Sequence, residues 1–219
     1  RGFGVPQVCW AYESQMDDIA RRLGIDPLEL RLKNLVREGD PFVTGHNLVS
    51  VGISDCAKGA AEAVGWQRDA EQAPRALSGK VRGKGMAVMI KTTMTPSNSS
   101  ALVRLNADGS AVLLTSSVEI GQGTLTSLAQ IVAEELGLPV DRVSVTFPDT
   151  DVTPFDQSTS SSRTVFSMGG AARQAAHQIR QQLLEVGGRV LGANIEDLQL
   201  VHGFLEVKGV PDKRRSIPQ

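Results

Sequence analysis

Ser116-Ser117-Val118-Glu119-Ile120-Gly121-Gln122-Gly123-Thr124-Leu125-Thr126-Ser127-Leu128-Ala129-Gln130-Ile131-Val132-Ala133-Glu134-Glu135-Leu136 joins three kinds of local structure in one run. Val112 and Leu114, continued by Ser116 and Val118, alternate with the residues between them, which is the period of a strand. Leu125, Leu128, Val132 and Leu136 recur at three or four, which is the period of a helix. Between the two, Gly121-Gln122-Gly123 lets the backbone turn tightly and approach a ligand with no Cβ in the way. Thr124, Thr126 and Ser127 crowd hydroxyls into the first helical turn, where unpaired N–H groups and the positive dipole end favour an anion. The stretch reads as strand, glycine turn and helix start, a place to hold a phosphate. Plain turn geometry is the competing reading, because the spacing is not the dinucleotide fingerprint and no P-loop lysine follows.

Working outward, Gly137 and Pro139 end the helix, and Val143, Val145 and Phe147 give a further strand. Strand, helix, strand implies a right-handed crossover with parallel pairing. Upstream, Ala101, Val103 and Leu105 alternate into Asn106-Ala107-Asp108-Gly109, the turn chemistry of a β-hairpin. Residues 84–91 form a mostly apolar run of strand length, broken by Pro96-Ser97-Asn98-Ser99. Ahead of these lie three helical patterns. Val8, Tyr12, Met16, Ile19 and Leu23 mark the face of the first, closed by Gly24. Asp26-Pro27-Leu28-Glu29 starts the second with capping-box spacing, and Leu28, Leu32 and Leu35 face its core. The third runs from Ser54 through Cys56, Ala60 and Val64 to Gly65. The fold class expected is α+β: a helical module over residues 1–79, then a mixed sheet with helices packed on it over residues 80–219. The boundary lies in the charged, small-sided link at 67–80.

A second candidate site follows Asp149-Thr150-Asp151. Phe155-Asp156-Gln157-Ser158-Thr159-Ser160-Ser161-Ser162-Arg163-Thr164 is a hydroxyl-rich loop feeding a helix marked by Val165, Met168, Ala172, Ala175, Ile179 and Leu183, which ends near Gly187-Gly188. Arginine binds phosphate bidentately, and hydroxyls with backbone N–H groups complete such a cradle. A flexible serine linker before an ordinary helix cap is the alternative. Gly169, Gly170, Ala171 and Ala172 permit close approach of a neighbouring element. Two polar helix starts in one domain suit a ligand with more than one phosphate.

The chain has 219 residues, 41% hydrophobic, with a net charge of −1. That supports a sizeable core in one or two domains and gives no electrostatic footprint for nucleic acid. No run of eighteen apolar residues offers a membrane span, and no stretch reads as a signal peptide with a basic start and an apolar core. Cys9 and Cys56 stand apart, which argues for free thiols in a reducing compartment, the cytoplasm, and against an iron–sulfur or zinc site. His46, His177 and His202 are isolated, so no metal ligation by protein side chains is expected. Neither Arg1-Gly2-Phe3-Gly4 nor Ser216-Ile217-Pro218-Gln219 reads as a natural terminus, and an excised piece of a longer protein is expected.

Arg1-Gly2-Phe3-Gly4, Pro6-Gln7, Glu13, Met16-Asp17, Ala20, Leu23-Gly24, Asp26-Pro27, Glu29, Arg31, Asn34 and Gly39-Asp40 resemble the molybdenum-binding subunit of the xanthine dehydrogenase and aldehyde oxidase family. Glu119-Ile120-Gly121-Gln122-Gly123 and Ser160-Ser161-Ser162-Arg163-Thr164 follow in that family's order. The resemblance implies a molybdenum hydroxylase, an oxidoreductase whose metal is held by molybdopterin rather than by the protein. It implies cofactor contacts from Gly121, Gln122, Gly123 and Thr124, and from Ser160, Ser161, Ser162, Arg163 and Thr164. Arg163 points to the cytosine dinucleotide form of the pterin, and Arg1 matches an arginine that orients substrate beside the metal. Iron–sulfur and flavin (FAD) partners, the remainder of the large subunit and a small aldehyde or N-heterocyclic substrate are implied with it. The family's downstream Gly-Val-Gly-Glu motif, which carries the catalytic glutamate, does not occur here, so the chain alone is expected to be inactive. A non-catalytic assembly module and an unrelated nucleotide-binding domain remain the other readings.

Overall fold

The computed structural model describes residues 4–43, 45, 47–67, 79, 83–91 and 96–218. Two compact units divide the chain, Gly2–Lys91 and Thr92–Gln219.

The first unit is helical: α1 (Val5–Leu23), α2 (Pro27–Asn34) and α3 (Ile53–Val64). Asp26 caps α2 by accepting the amides of Leu28 at 2.8 Å and Glu29 at 3.1 Å, which satisfies two of the helix's unpaired donors. Glu29 does not complete the capping box and instead pairs with Lys33 at 2.7 Å. The buried faces sit one position from those expected. In α1, Cys9, Glu13 and Ala20 are buried while Val8, Ile19 and Leu23 are exposed. In α3, Ala57 and Ala61 are buried and Cys56 is exposed. The cause in α1 is Arg31 of α2, 1% exposed, whose Nε bonds Glu13 Oε2 at 2.7 Å and whose Nη2 meets Asp17 Oδ1 at 2.8 Å. A buried guanidinium needs its counter-charge, and that requirement turns the helix face. Residues 84–91 were expected to open the sheet. They carry no strand and belong to this unit, where Val88 donates its amide to Glu13 Oε2 at 2.9 Å and its carbonyl accepts Tyr12 OH at 3.1 Å.

The second unit holds β1 (Leu102–Leu105), β2 (Ala111–Leu114), α4 (Thr124–Leu136), β3 (Val143–Val145), α5 (Gly169–Leu191), β4 (Leu198–Val201), β5 (Phe204–Val207) and β6 (Val210–Ser216). β1 and β2 form the expected antiparallel hairpin, and β2 pairs in parallel with β3 across α4. This small mixed sheet packs Ala111, Leu113 and Val143 against Leu128, Val132 and Leu136 of α4 and Met168, Ala172 and Ala176 of α5. Phe147 lies beyond β3 and is exposed. β4, β5 and β6 make a separate antiparallel sheet, where one mixed sheet was expected over residues 80–219. Leu198, Leu200 and Leu205 pack it against Leu184 and Leu191 of α5. Gly187 therefore continues α5 rather than ending it: a Cβ there would overlap Leu205, so glycine lets sheet and helix close up.

Candidate functional site

β2 ends at Leu114, and residues 115–118 run on without a strand partner. Their polar groups are taken up by the loop that precedes α5. Ser116 Oγ donates to the Pro154 carbonyl at 2.7 Å and lies 2.8 Å from Thr153 Oγ1. Ser117 Oγ reaches Asp156 Oδ2 at 2.9 Å, and the Val118 amide donates to Thr159 Oγ1 at 2.8 Å. The glycine loop and the serine loop, separate in sequence, are thus stitched together where the chain leaves β2.

The glycine loop is held by its own side chains. Glu119 folds over the start of α4, its Oε1 accepting the amides of Gly121 at 2.8 Å and Gly123 at 2.9 Å and its Oε2 that of Leu125 at 3.1 Å. The Gly123 and Leu125 amides hold its carboxyl below the ordinary glutamate range, because they stabilise the charged form. Gln122 is pinned as well. Its Nε2 donates to the Val118 carbonyl at 2.9 Å and to Thr124 Oγ1 at 2.6 Å, and its Oε1 accepts the Ile120 amide at 2.6 Å. Gly121 at φ 94° and Gly123 at φ 81° have no atom within 4 Å of where a Cβ would stand, so this backbone presents an open face.

The serine loop is organised by a buried ion pair. Arg163 is fully buried, with Nη1 on Asp156 Oδ1 at 2.8 Å and the Ser158 carbonyl at 2.5 Å, and Nη2 on the Asn98 carbonyl at 2.7 Å and Ser99 Oγ. Its Nε has no hydrogen-bond partner among the described residues. Asp156 also accepts Ser99 Oγ at 2.7 Å. The expected grip of Arg163 on a phosphate is therefore not the geometry observed: the guanidinium faces inward and locks the loop to residues 98–99. Ser161 at φ 49° and Ser162 at φ 59° stand consecutively in the left-handed region, a strained arrangement for side-chain-bearing residues and one that clusters at ligand sites. Thr164–Met168 then forms a π-helical turn leading into α5, another feature concentrated at functional sites. Behind it, Gly169 lets α5 approach Ile131 of α4.

The bonds from residues 116–118 to residues 153–159 thus tie the loop that carries Gly121, Gln122, Gly123 and Thr124 to the loop that carries Ser160, Ser161, Ser162, Arg163 and Thr164, with Thr124, Arg163 and Thr164 buried. Arg1 lies outside the described residues. Sequence reasoning gave no role to Glu119, Ser117, Asp156 or Thr159. The signal for Asp156 was its opposite charge seven residues before Arg163. Among the described residues, no group of three or more His, Cys, Asp or Glu could hold a metal ion.

The molybdopterin cofactor-binding domain family matches residues 59–219, and a second family of the same description matches residues 1–35. The chain is 34% identical to a xanthine dehydrogenase molybdenum-binding subunit of Escherichia coli O157:H7, over 97% of this chain and 29% of that one. It is 30% identical to the nicotine 6-hydroxylase large subunit of Paenarthrobacter nicotinovorans, over 99% of this chain and 28% of that one. Among solved structures, quinoline 2-oxidoreductase from Pseudomonas putida 86 aligns with a TM-score of 0.72 at 27% identity, covering 95% of this chain and 28% of that one. The chain spans under a third of the length of the curated relatives it matches.

Proposed function

The chain belongs to the molybdopterin cofactor-binding domain family, and on that premise we propose that it forms part of the pterin-binding shell of a molybdenum hydroxylase large subunit. The observation that carries this reading is the Val118–Thr159 bond with its neighbour Ser117–Asp156, which makes two loops one surface. The donor set suits such a ligand. Gln122 and the open backbone of Gly121 and Gly123 suit a polar, uncharged ring, with Thr124 buttressing Gln122 from beneath. Ser160, Ser161, Ser162 and Thr164 suit a pyrophosphate linked to cytosine, and Arg163 holds their loop in shape rather than touching the phosphates. The start of α4 does not suit a phosphate, because Glu119 already supplies the anion there. That removes the basis for an unrelated domain binding free nucleotides at this helix.

The molybdenum carried by the pterin would supply two-electron oxidation of an aldehyde or N-heterocycle, with water as the oxygen source. This chain's residues bind and orient the cofactor and do no proton transfer of their own. Arg1 is assigned substrate orientation on the family resemblance. The iron–sulfur and FAD partners, the rest of the large subunit and a cytoplasmic setting belong to the same proposal.

The test is analysis of the native protein for molybdenum and for nucleotide released by acid hydrolysis. Equimolar molybdenum and cytidine monophosphate are expected, both reduced in Gln122→Ala. No molybdenum after metal-replete expression would overturn the reading. Molybdenum without cytidine monophosphate would overturn the dinucleotide form alone.

A further inference from the structure

Val118 stands between the two loops and uses both of its backbone groups. Its amide donates to Thr159 Oγ1 at 2.8 Å, and its carbonyl accepts Gln122 Nε2 at 2.9 Å. Val118 is therefore one of three groups that orient the Gln122 amide, with Thr124 Oγ1 and the Ile120 amide, and it is the one that Thr159 holds. Thr159 is itself rigidly placed: Ser158, just before it, gives its carbonyl to the buried Arg163, and Asp156 anchors the same guanidinium. The chain of contacts runs from a buried ion pair through one hydroxyl to the side-chain amide of the exposed Gln122.

We propose that Thr159 is a positioning residue of the pterin site, its hydroxyl registering the glycine loop against the serine loop so that Gln122 and residues 160–164 meet one ligand together. The proposal rests on the functional reading above. The working group is the hydroxyl oxygen as an acceptor for the Val118 amide. Valine keeps the shape of threonine and cannot accept. Alanine removes the acceptor without the second methyl. Serine keeps it.

The experiment compares Thr159→Val, Thr159→Ala and Thr159→Ser in the native protein, by pterin retained after dialysis and by amide hydrogen exchange in the peptide covering residues 118–125. Thr159→Val and Thr159→Ala are expected to raise exchange in that peptide and to weaken pterin retention by about tenfold, the scale seen when a supporting hydrogen bond behind a ligand contact is removed. Thr159→Ser restores both. Two results overturn the proposal: Thr159→Ser as defective as Thr159→Val, which assigns the effect to packing, or Thr159→Val and Thr159→Ala indistinguishable from the unaltered protein. An unaltered protein without pterin overturns the functional reading instead. The exchange arm then still decides the Thr159 link, and unchanged protection in Thr159→Val counts against it.

Discussion

Glu119 Oε2 accepts the amide of Leu125 at 3.1 Å, so the first turn of α4 carries its own anion. Exposed amides and the dipole make any helix start attractive to negative charge. Here the charge arrives from six residues upstream in the same chain, and the glycine loop is closed by it.

The pH dependence of that closure has a definite sign. The bonds from Gly123 and then Leu125 hold the Glu119 carboxyl below its ordinary value of 4.5. A carboxyl whose folded pKa is depressed stabilises the fold fully above the unfolded value, and that contribution is lost as pH falls through the folded one. The Gly123 and Leu125 amide resonances are therefore expected to titrate together with a midpoint below 4.5. Glu119→Gln should abolish the titration. A midpoint at or above the ordinary value would mean that the carboxylate is not bonded as described.

Arg163→Val separates a structural arginine from a phosphate ligand. With the guanidinium gone, Asp156 is left 1% exposed without its counter-charge, and breaking a buried pair from one side costs about 3–5 kcal/mol. The expected outcome is faster amide exchange throughout residues 96–218 and a lower midpoint in urea. Arg163→Lys should recover little, since an ammonium cannot reproduce the fork that reaches Asp156, Ser158 and Asn98 at once. A stable Arg163→Val protein that has lost only its pterin would return Arg163 to direct phosphate binding.

Periodicity made β2, α4 and β3 legible because each buries one face of a regular element, and Leu128, Val132 and Leu136 lie in the core as their spacing implies. It failed for α1, where a charged pair separated by eighteen residues, Glu13 and Arg31, decides which face turns inward. Hydropathy counts Glu13 as a surface residue and carries no information about its partner. β6 escaped notice for a related reason: Asp212, Lys213, Arg214 and Arg215 lie exposed along it, with no apolar alternation to mark a strand. At the site, the two loops were visible as glycine and serine clusters. Their internal bonds were not, because nothing in the sequence marks Glu119 and Arg163 as charges that satisfy the protein's own donors and acceptors.

Arg31→Ala tests the corresponding pair in the helical unit. Arg31 is 1% exposed and also donates to the Pro27 and Glu13 carbonyls at 3.0 and 3.2 Å. Its loss leaves the buried Glu13 carboxylate with the Val88 amide alone among the described residues, again a cost of about 3–5 kcal/mol. Trp10 and Trp66 both lie in this unit, so tryptophan fluorescence reports its unfolding. Glu13→Gln with Arg31→Met should cost less than Arg31→Ala alone, since the one carboxylate it leaves without a partner, Asp17, is 41% exposed and solvated. Additive losses in the double variant would argue that the two side chains act separately.

Gly137 and Gly192 end α4 and α5 with similar left-handed backbones, φ 62° and φ 56°, yet their surroundings differ. A Cβ on Gly192 meets nothing within 4 Å, whereas one on Gly137 would collide with the backbone carbonyl of Leu200, which cannot rotate away as a side chain could. Gly203 also donates its amide to the Gly137 carbonyl at 2.7 Å, fixing the approach of α4 to the turn after β4. Gly192→Ala should therefore cost only the left-handed strain of about 1–2 kcal/mol. Gly137→Ala should cost that and a further 1–3 kcal/mol or about that for forced displacement of packed neighbours. Urea midpoints for the two variants measure the difference within one unit, where the reference unfolding is shared. Equal losses would show that the C-terminal sheet gives way freely at Leu200, and that its contact with α4 does not hold the two layers in register.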